Sequence, residues 1–225
     1  MSTAALPGRF TPQALWAALK RRWLLYHLGD TRFAFMWDRP PPDEWVVLDC
    51  ETTGLNVARD EIVSIGAVRI VGDRLMTSER LELLVKPQRG MHDDAVRVHG
   101  LREQDVAQGL DIDDALQQLM RFIGARPLVG YYLEFDLAMI DRALFPMLGV
   151  GLPQPRFEVS ALYYEWQFRQ LAPHQQQGNV HIDLRFATLM ATLGLPQRHA
   201  HDAVNDAVMA GLAFVKLRRL LAPPV

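Results

Sequence analysis

Two carboxylates at the end of one apolar run, Asp49 and Glu51 in Trp45-Val46-Val47-Leu48-Asp49-Cys50-Glu51-Thr52-Thr53-Gly54-Leu55, are the residues around which chemistry can be built. The run is rich in β-branched residues and reads as a buried strand. Side chains alternate along a strand, so Asp49 and Glu51 point one way and Cys50 the other. Two like charges side by side repel, and withdrawal from water raises the cost. A divalent cation between them removes that penalty, and hard cations such as Mg²⁺ take carboxylate oxygens. Taken alone, the pair reads more readily as a strand end entering a polar turn than as half of a metal site.

A second group lies far along the chain, in His199-Ala200-His201-Asp202-Ala203-Val204-Asn205-Asp206-Ala207. Five helical residues advance about 140°, so His201 and Asp206 do not share a face of one continuous helix. They converge if His201 lies in the loop before the helix and Asp206 inside it. Alanines 203, 207 and 210 leave space beside Asp206, whose charge in so apolar a helix needs a partner. A histidine beside carboxylates suits general-base work near neutral pH. His199 is a near neighbour that can replace His201. Between the two groups, Phe135-Asp136 opens a helix just beyond a short strand; Asp136 alone can equally serve that helix's first turn.

The elements that must position these groups follow from pattern and punctuation. A second strand is expected over 61–70 and a third over 75–86, joined at Gly72-Asp73, which makes an antiparallel meander with the first. The stretch with Val98-His99-Gly100-Leu101 reads as a loop, where His99 is either a packing or a substrate-side residue. Asp111 to Asp114 open a helix with Leu116, Leu119, Met120 and Ile123 at helical spacing, ended by Gly124. A short strand over 127–131 leads into a helix through Leu148. A short strand and helix over 156–171, a helix over 181–193 and a final helix with Val204, Val208, Gly211, Leu212 and Val215 on its packing face complete the chain. Such an order predicts an α/β fold, a mixed central sheet covered by helices. Residues 1–44 read as a helical arm with a basic cluster, Lys20-Arg21-Arg22, closed by Arg39-Pro40-Pro41-Pro42. The main domain is expected over 45–225.

With 225 residues, 49% hydrophobic and 22% charged, the chain has the composition of a soluble globular protein with one good core. A single cysteine excludes an internal disulfide and fits a reducing, cytoplasmic setting. No apolar run reaches the roughly 18 residues of a membrane span, so no membrane partner is expected. A net charge of −2 does not suggest wholesale polyanion binding, so any nucleic-acid surface asks for a local patch or bound metal.

Taken together, Asp49-Cys50-Glu51-Thr52-Thr53-Gly54-Leu55, Phe135-Asp136 and His201-Asp202-Ala203-Val204-Asn205-Asp206 resemble the three motifs of the DEDDh 3′-5′ exonucleases, the family of the proofreading epsilon subunit of bacterial DNA polymerase III. The resemblance covers roughly residues 45–215. It implies an RNase H-like fold, an antiparallel meander followed by parallel strands, and two Mg²⁺ or Mn²⁺ ions. By motif position it implies Asp49, Glu51, Asp136 and Asp206 as metal ligands and His201 as general base. Thr52, Thr53, Gly54, Leu55 and Phe135 would bracket the terminal nucleotide.

The chain departs from the family where a His-Asn pair is common, and carries Tyr131 and Tyr132 instead. A tyrosine ring can stack on a base where an amide would hydrogen-bond. Tyr132, by its offset from Asp136, is the expected substrate-side ring, with Tyr131 packing inward. The resulting expectation is a metal-dependent exonuclease acting on single-stranded DNA 3′ ends, with a DNA polymerase subunit as a candidate partner. An RNA-trimming or short-oligonucleotide enzyme and a non-catalytic polymerase accessory subunit are the alternatives.

Overall fold

The apolar alternation of the first strand, β1 (Glu44–Thr52), places it in the middle of a five-stranded sheet. Val46 and Leu48 point to one face and Val47 to the other, and all three are fully buried. A strand buried on both sides needs helices on both sides. The computed structural model describes residues 12–177, 180–197 and 202–223.

Strand β2 (Ile62–Val71) pairs antiparallel with β1, and β3 (Arg74–Leu84) pairs antiparallel with β2. The hairpin between them needs a left-handed residue, and Gly72 supplies it at φ +60°. On the other side of β1, β4 (Leu128–Gly130) and β5 (Arg156–Glu158) run parallel to it. The order is β3-β2-β1-β4-β5, the expected mixed sheet.

One face of the sheet packs its apolar side chains against helices that the hydrophobic spacing marks. Helix α4 (Ile112–Ile123) contributes Leu116, Leu119, Met120 and Ile123, and α5 (Leu133–Leu148) contributes Leu137, Ile140 and Leu144. The opposite face is covered by α6 (Val159–Gln170), α7 (Phe186–Thr192) and α8 (Ala203–Leu221), with Tyr163, Leu189, Met190 and Phe214 over Val47, Val68 and Val129.

Helix α1 (Pro12–Tyr26) and a 3₁₀ helix (Thr31–Trp37) make up the described arm. Leu28, Phe33 and Met36 join the same cluster as Val46 and Leu48, so the arm is packed onto the main core. Within the basic cluster, Arg21 turns inward, donating to the Trp37 carbonyl at 2.9 Å and pairing with Asp38 at 3.5 Å.

Two stretches differ from the sequence expectation. The loop around His99 is instead helix α2 (Asp93–His99), ended by Gly100 at φ +74°, followed by α3 (Glu103–Val106). Acidic residues in the first turn of α2 and basic ones in its last suit the helix dipole, but seven residues show too little apolar periodicity to be read. The helix expected over 181–193 begins only at Phe186. Asp183 accepts from the Arg185 N–H at 3.0 Å and from Thr188 Oγ1 at 2.8 Å, a local turn that competes with helix before that point.

Candidate active site

Asp49 and Glu51 leave β1 on the face covered by α8, opposite Gly66 and Ser64 of β2. Gly66 is what lets α8 come close. A Cβ there would overlap the backbone of Ala203 and Val204, so the first turn of α8 lies directly on the sheet beside Asp49. About two turns on, a Cβ at Gly211 would sit 3.1 Å from Val47 Cγ2, and Ala203, Ala207 and Ala210 are buried along the way. This stripe of small residues carries Asp206 to the sheet. Asp49, Glu51 and Asp206 each offer a carboxylate oxygen within 4.8 Å of the others. Asp202 caps α8, accepting the Asn205 N–H at 2.9 Å.

Asp136, in the first turn of α5, reaches the same end of the sheet from the opposite side. Its Oδ1 accepts the Cys50 N–H at 3.1 Å, and it stands beside the cluster of three without belonging to it. Cys50 itself packs in the core, as strand alternation requires.

Carboxylates gathered in this way hold their protons tightly. Burial, and then the charges of Asp136, Asp206, Glu51 and Asp202, push Asp49 well above the usual carboxylate range. Burial, reinforced by Asp206 and Asp202, pushes Glu51 up to about 7. Burial pushes Asp136 up to about 8 against the opposing pull of the backbone N–H groups that it accepts. A divalent cation among the three clustered oxygens would reverse these shifts, so the residues fit a hard-cation site.

The carboxylates form the floor of a cleft of about 810 Å³. Its rim includes Leu55, which is 86% exposed, together with Phe135, Tyr132, Val98 and His99. The loop after β1 is tightly tied. Thr52 Oγ1 donates to the Gly54 carbonyl at 2.7 Å, and Thr53 exchanges two hydrogen bonds with Glu61. Asp60, buried beneath the loop, accepts the Asn56 N–H at 2.7 Å and lies 3.2 Å from His92 Nε2. A Cβ at Gly54 would meet that Asp60 carboxylate at 2.5 Å, so only glycine fits. His99, on the α2 wall, accepts the Leu101 N–H at Nδ1 (3.1 Å), which places the proton of the neutral ring on Nε2.

The two tyrosines have separate surroundings. Tyr131 donates its hydroxyl to the Leu184 carbonyl at 2.7 Å and packs against Phe186, while Tyr132 is 56% exposed. His201 and His199 lie outside the described residues. Sequence reasoning missed Asp60 and His92, which no local signal marks. It also missed Glu158, whose place two residues before Ser160 at a helix start is a capping pattern that could have shown it.

An exonuclease family model (RNase T type) matches residues 46–214. A DNA polymerase III subunit epsilon-like protein of Rhodobacter capsulatus is 30% identical over 174 residues, 77% of this chain and 23% of that protein. The DNA polymerase III subunit epsilon of Pasteurella multocida is 33% identical over 105 residues, 44% of this chain and 41% of that protein. Among solved structures, the zinc-bound complex of Escherichia coli exonuclease I with single-stranded DNA superposes with a TM-score of 0.64. That match has 19% identity and covers 80% of this chain and 41% of the other, a likeness of fold. The chain therefore spans less than half the length of each of these three relatives. With the family match running from β1 into α8, across every element that brings a carboxylate to the cleft, the chain belongs to the exonuclease family and has its RNase H-like fold.

Proposed function

We propose that this protein is a metal-dependent 3′-5′ exonuclease that removes nucleotides from single-stranded 3′ ends, DNA being the preferred substrate, and releases nucleoside 5′-monophosphates. The observation that carries the reading is the convergence of Asp49, Glu51 and Asp206 on the floor of a cleft rimmed by Leu55, Tyr132 and Phe135. Asp49, Glu51 and Asp206 would hold the cations, with Asp136 beside them as the fourth ligand. Two bound Mg²⁺ or Mn²⁺ ions supply Lewis-acid stabilisation of the phosphate and lower the pKa of the attacking water.

The protein's own groups then act in a definite order. Leu55 and Phe135 grip the terminal nucleoside, and Tyr132 offers a ring face to an unpaired base. The Thr52–Gly54 turn, tied by its own Thr52–Gly54 bond and by Glu61, fixes where the 3′ end stops. His201, assigned by motif position, takes the proton of the attacking water. A new bond forms from the water oxygen to phosphorus, the bond from phosphorus to the 3′ oxygen breaks, and the shortened strand keeps a 3′ hydroxyl.

Two relatives named as polymerase III epsilon proteins support a polymerase as partner. The family match supports residues 45–225 as the catalytic unit with 1–44 as an appended arm. Among the described residues no helix is long and apolar enough to cross a membrane, and a cytoplasmic site of action is part of the proposal. The test is a time course on matched 3′-labelled and 5′-labelled single-stranded DNA and RNA, with Mg²⁺ or Mn²⁺ and with chelator. Stepwise shortening of 5′-labelled DNA with immediate release of the 3′ label is expected. Faster loss of RNA would move the assignment to an RNA-trimming enzyme, and inertness on both would refute it.

A further inference from the structure

Glu158 ends β5 and sits where two helices begin. Its Oε1 accepts the Tyr132 N–H at 3.0 Å, the Ser160 N–H at 3.0 Å and the Ser160 hydroxyl at 2.7 Å. Its Oε2 accepts the Leu133 N–H at 2.9 Å. Three donors converge on Oε1 and one on Oε2, so a single carboxylate serves the starts of both helices. Two of these donors belong to the start of α5, a helix whose own N-cap residue, Tyr132, makes no side-chain cap. Glu158 therefore caps α5 from another strand, in the position where both helix dipoles favour a negative charge.

The residue so capped is strained. Tyr132 has φ 53° and ψ 35°, the left-handed region, where the Cβ of a non-glycine residue crowds the following carbonyl oxygen. Such a conformation persists only when its surroundings enforce it, and strain of this kind gathers at working sites. Here the left-handed turn leaves the Tyr132 ring 56% exposed on the wall of the cleft, with the Tyr131 ring 4.5 Å away to limit its swing.

We propose that Glu158 is a specificity-determining positioning residue: by bonding the Tyr132 and Leu133 amides it holds the left-handed turn that presents the Tyr132 ring to an unpaired terminal base. The proposal rests on the exonuclease reading and on stacking by Tyr132. It makes the preference for frayed or single-stranded ends depend on a carboxylate that touches no substrate.

The experiment is a double-mutant cycle on the full chain, reading KM and kcat on a single-stranded oligonucleotide and on the same strand ending in a 3′ abasic nucleotide. Loss of a base–aromatic stack weakens binding by roughly 5- to 150-fold. Glu158→Gln turns one acceptor into a donor facing N–H groups, and should raise KM for the single strand by the same factor as Tyr132→Ala. In the double variant the two effects should not add. Cleavage of the abasic end, which offers the ring no base to stack on, should change less than threefold in KM. Tyr132→Gly, at ease in the left-handed region, should remove any loss of melting temperature that Glu158→Gln causes. If Glu158→Gln does not fold, Glu158→Asp, which withdraws the carboxylate by one methylene, is read in the same way. A fall in kcat with KM unchanged, or additive effects, would show that Glu158 supports α5 and not the ring, and would overturn the proposal. An active wild type indifferent to Glu158 overturns this proposal alone; a wild type inert on both substrates overturns the exonuclease reading and this with it.

Discussion

Gly66 stands opposite Asp49 across the β1–β2 pair, and the backbone of Ala203 fills the space where a side chain on Gly66 would be. The pairing means that the distance from α8 to the sheet, and with it the approach of Asp206 to Asp49, is set by the absence of one methyl group. Gly66→Ala should push α8 outward, with an overpacking cost of about 1–3 kcal/mol. Activity should fall by more than the melting temperature alone explains, because a small displacement separates the carboxylates. Thermal melts and initial rates on the same preparation check this, and a fully active Gly66→Ala would show that the close approach is not needed.

Metal dependence follows from the like charges on the cleft floor. Asp49→Ala and Asp206→Ala should abolish cleavage while the proteins stay folded. In the absence of metal, their melting temperatures should equal or exceed that of wild type, since a mutual repulsion has been removed. Hydrolysis undiminished in excess chelator would be incompatible with the site as described.

The raised carboxyl pKa values give the metal-free protein a definite pH dependence. A group that binds its proton more tightly folded than unfolded lowers stability as pH rises from its unfolded value, near 4, to its folded value. With Glu51 pushed to about 7, Asp136 to about 8 and Asp49 raised as well, the metal-free protein should lose stability as pH rises from about 4 through about 8. Added Mg²⁺ or Mn²⁺ should restore the melting temperature most at the alkaline end. Melting curves at pH 6 and pH 8, with and without metal, test the sign; a metal-free protein more stable at pH 8 would contradict it.

The assignment of the base separates two histidines. His201→Ala should lose about 10²–10⁴ in rate, while His199→Ala keeps most activity. The acid limb of the rate profile should titrate in the histidine range and vanish in His201→Ala. Severe loss in His199→Ala with a mild effect at 201 would reverse the roles.

Substrate preference is expected to reside in one ring. Tyr132→Ala should raise KM for single strands more than it lowers kcat, by the equivalent of about 1–3 kcal/mol in binding. Tyr132→Phe should be nearly silent, because the ring face is kept. Equal damage from the two substitutions, measured by steady-state kinetics, would assign the contact to the hydroxyl instead.

The sequence by itself determined the parts of this protein whose physics is local. A period of two in Val46 to Glu51 sets both carboxylates on one side and Cys50 on the other, and that holds wherever the strand ends up. The 3.6-residue spacing of Leu116, Leu119, Met120 and Ile123, or the glycine at the Gly72 turn, likewise needs no distant partner to be read. Only the tertiary structure decided what depends on contacts between remote residues. Asp136 is tied to the Cys50 amide rather than placed inside the cluster of three, because α5 comes to the site from the other face of the sheet. Asp60 and His92 brace the loop that carries Gly54 and Leu55, and Glu158 caps a helix that begins 25 residues before it. The short helix α2 forms where its own seven residues could not sustain it, since isolated helices of that length are not stable in water and packing must supply the rest. A charge that is satisfied by a backbone amide from another strand leaves no pattern in its own neighbourhood, and for that reason these residues became visible only once the chain was folded.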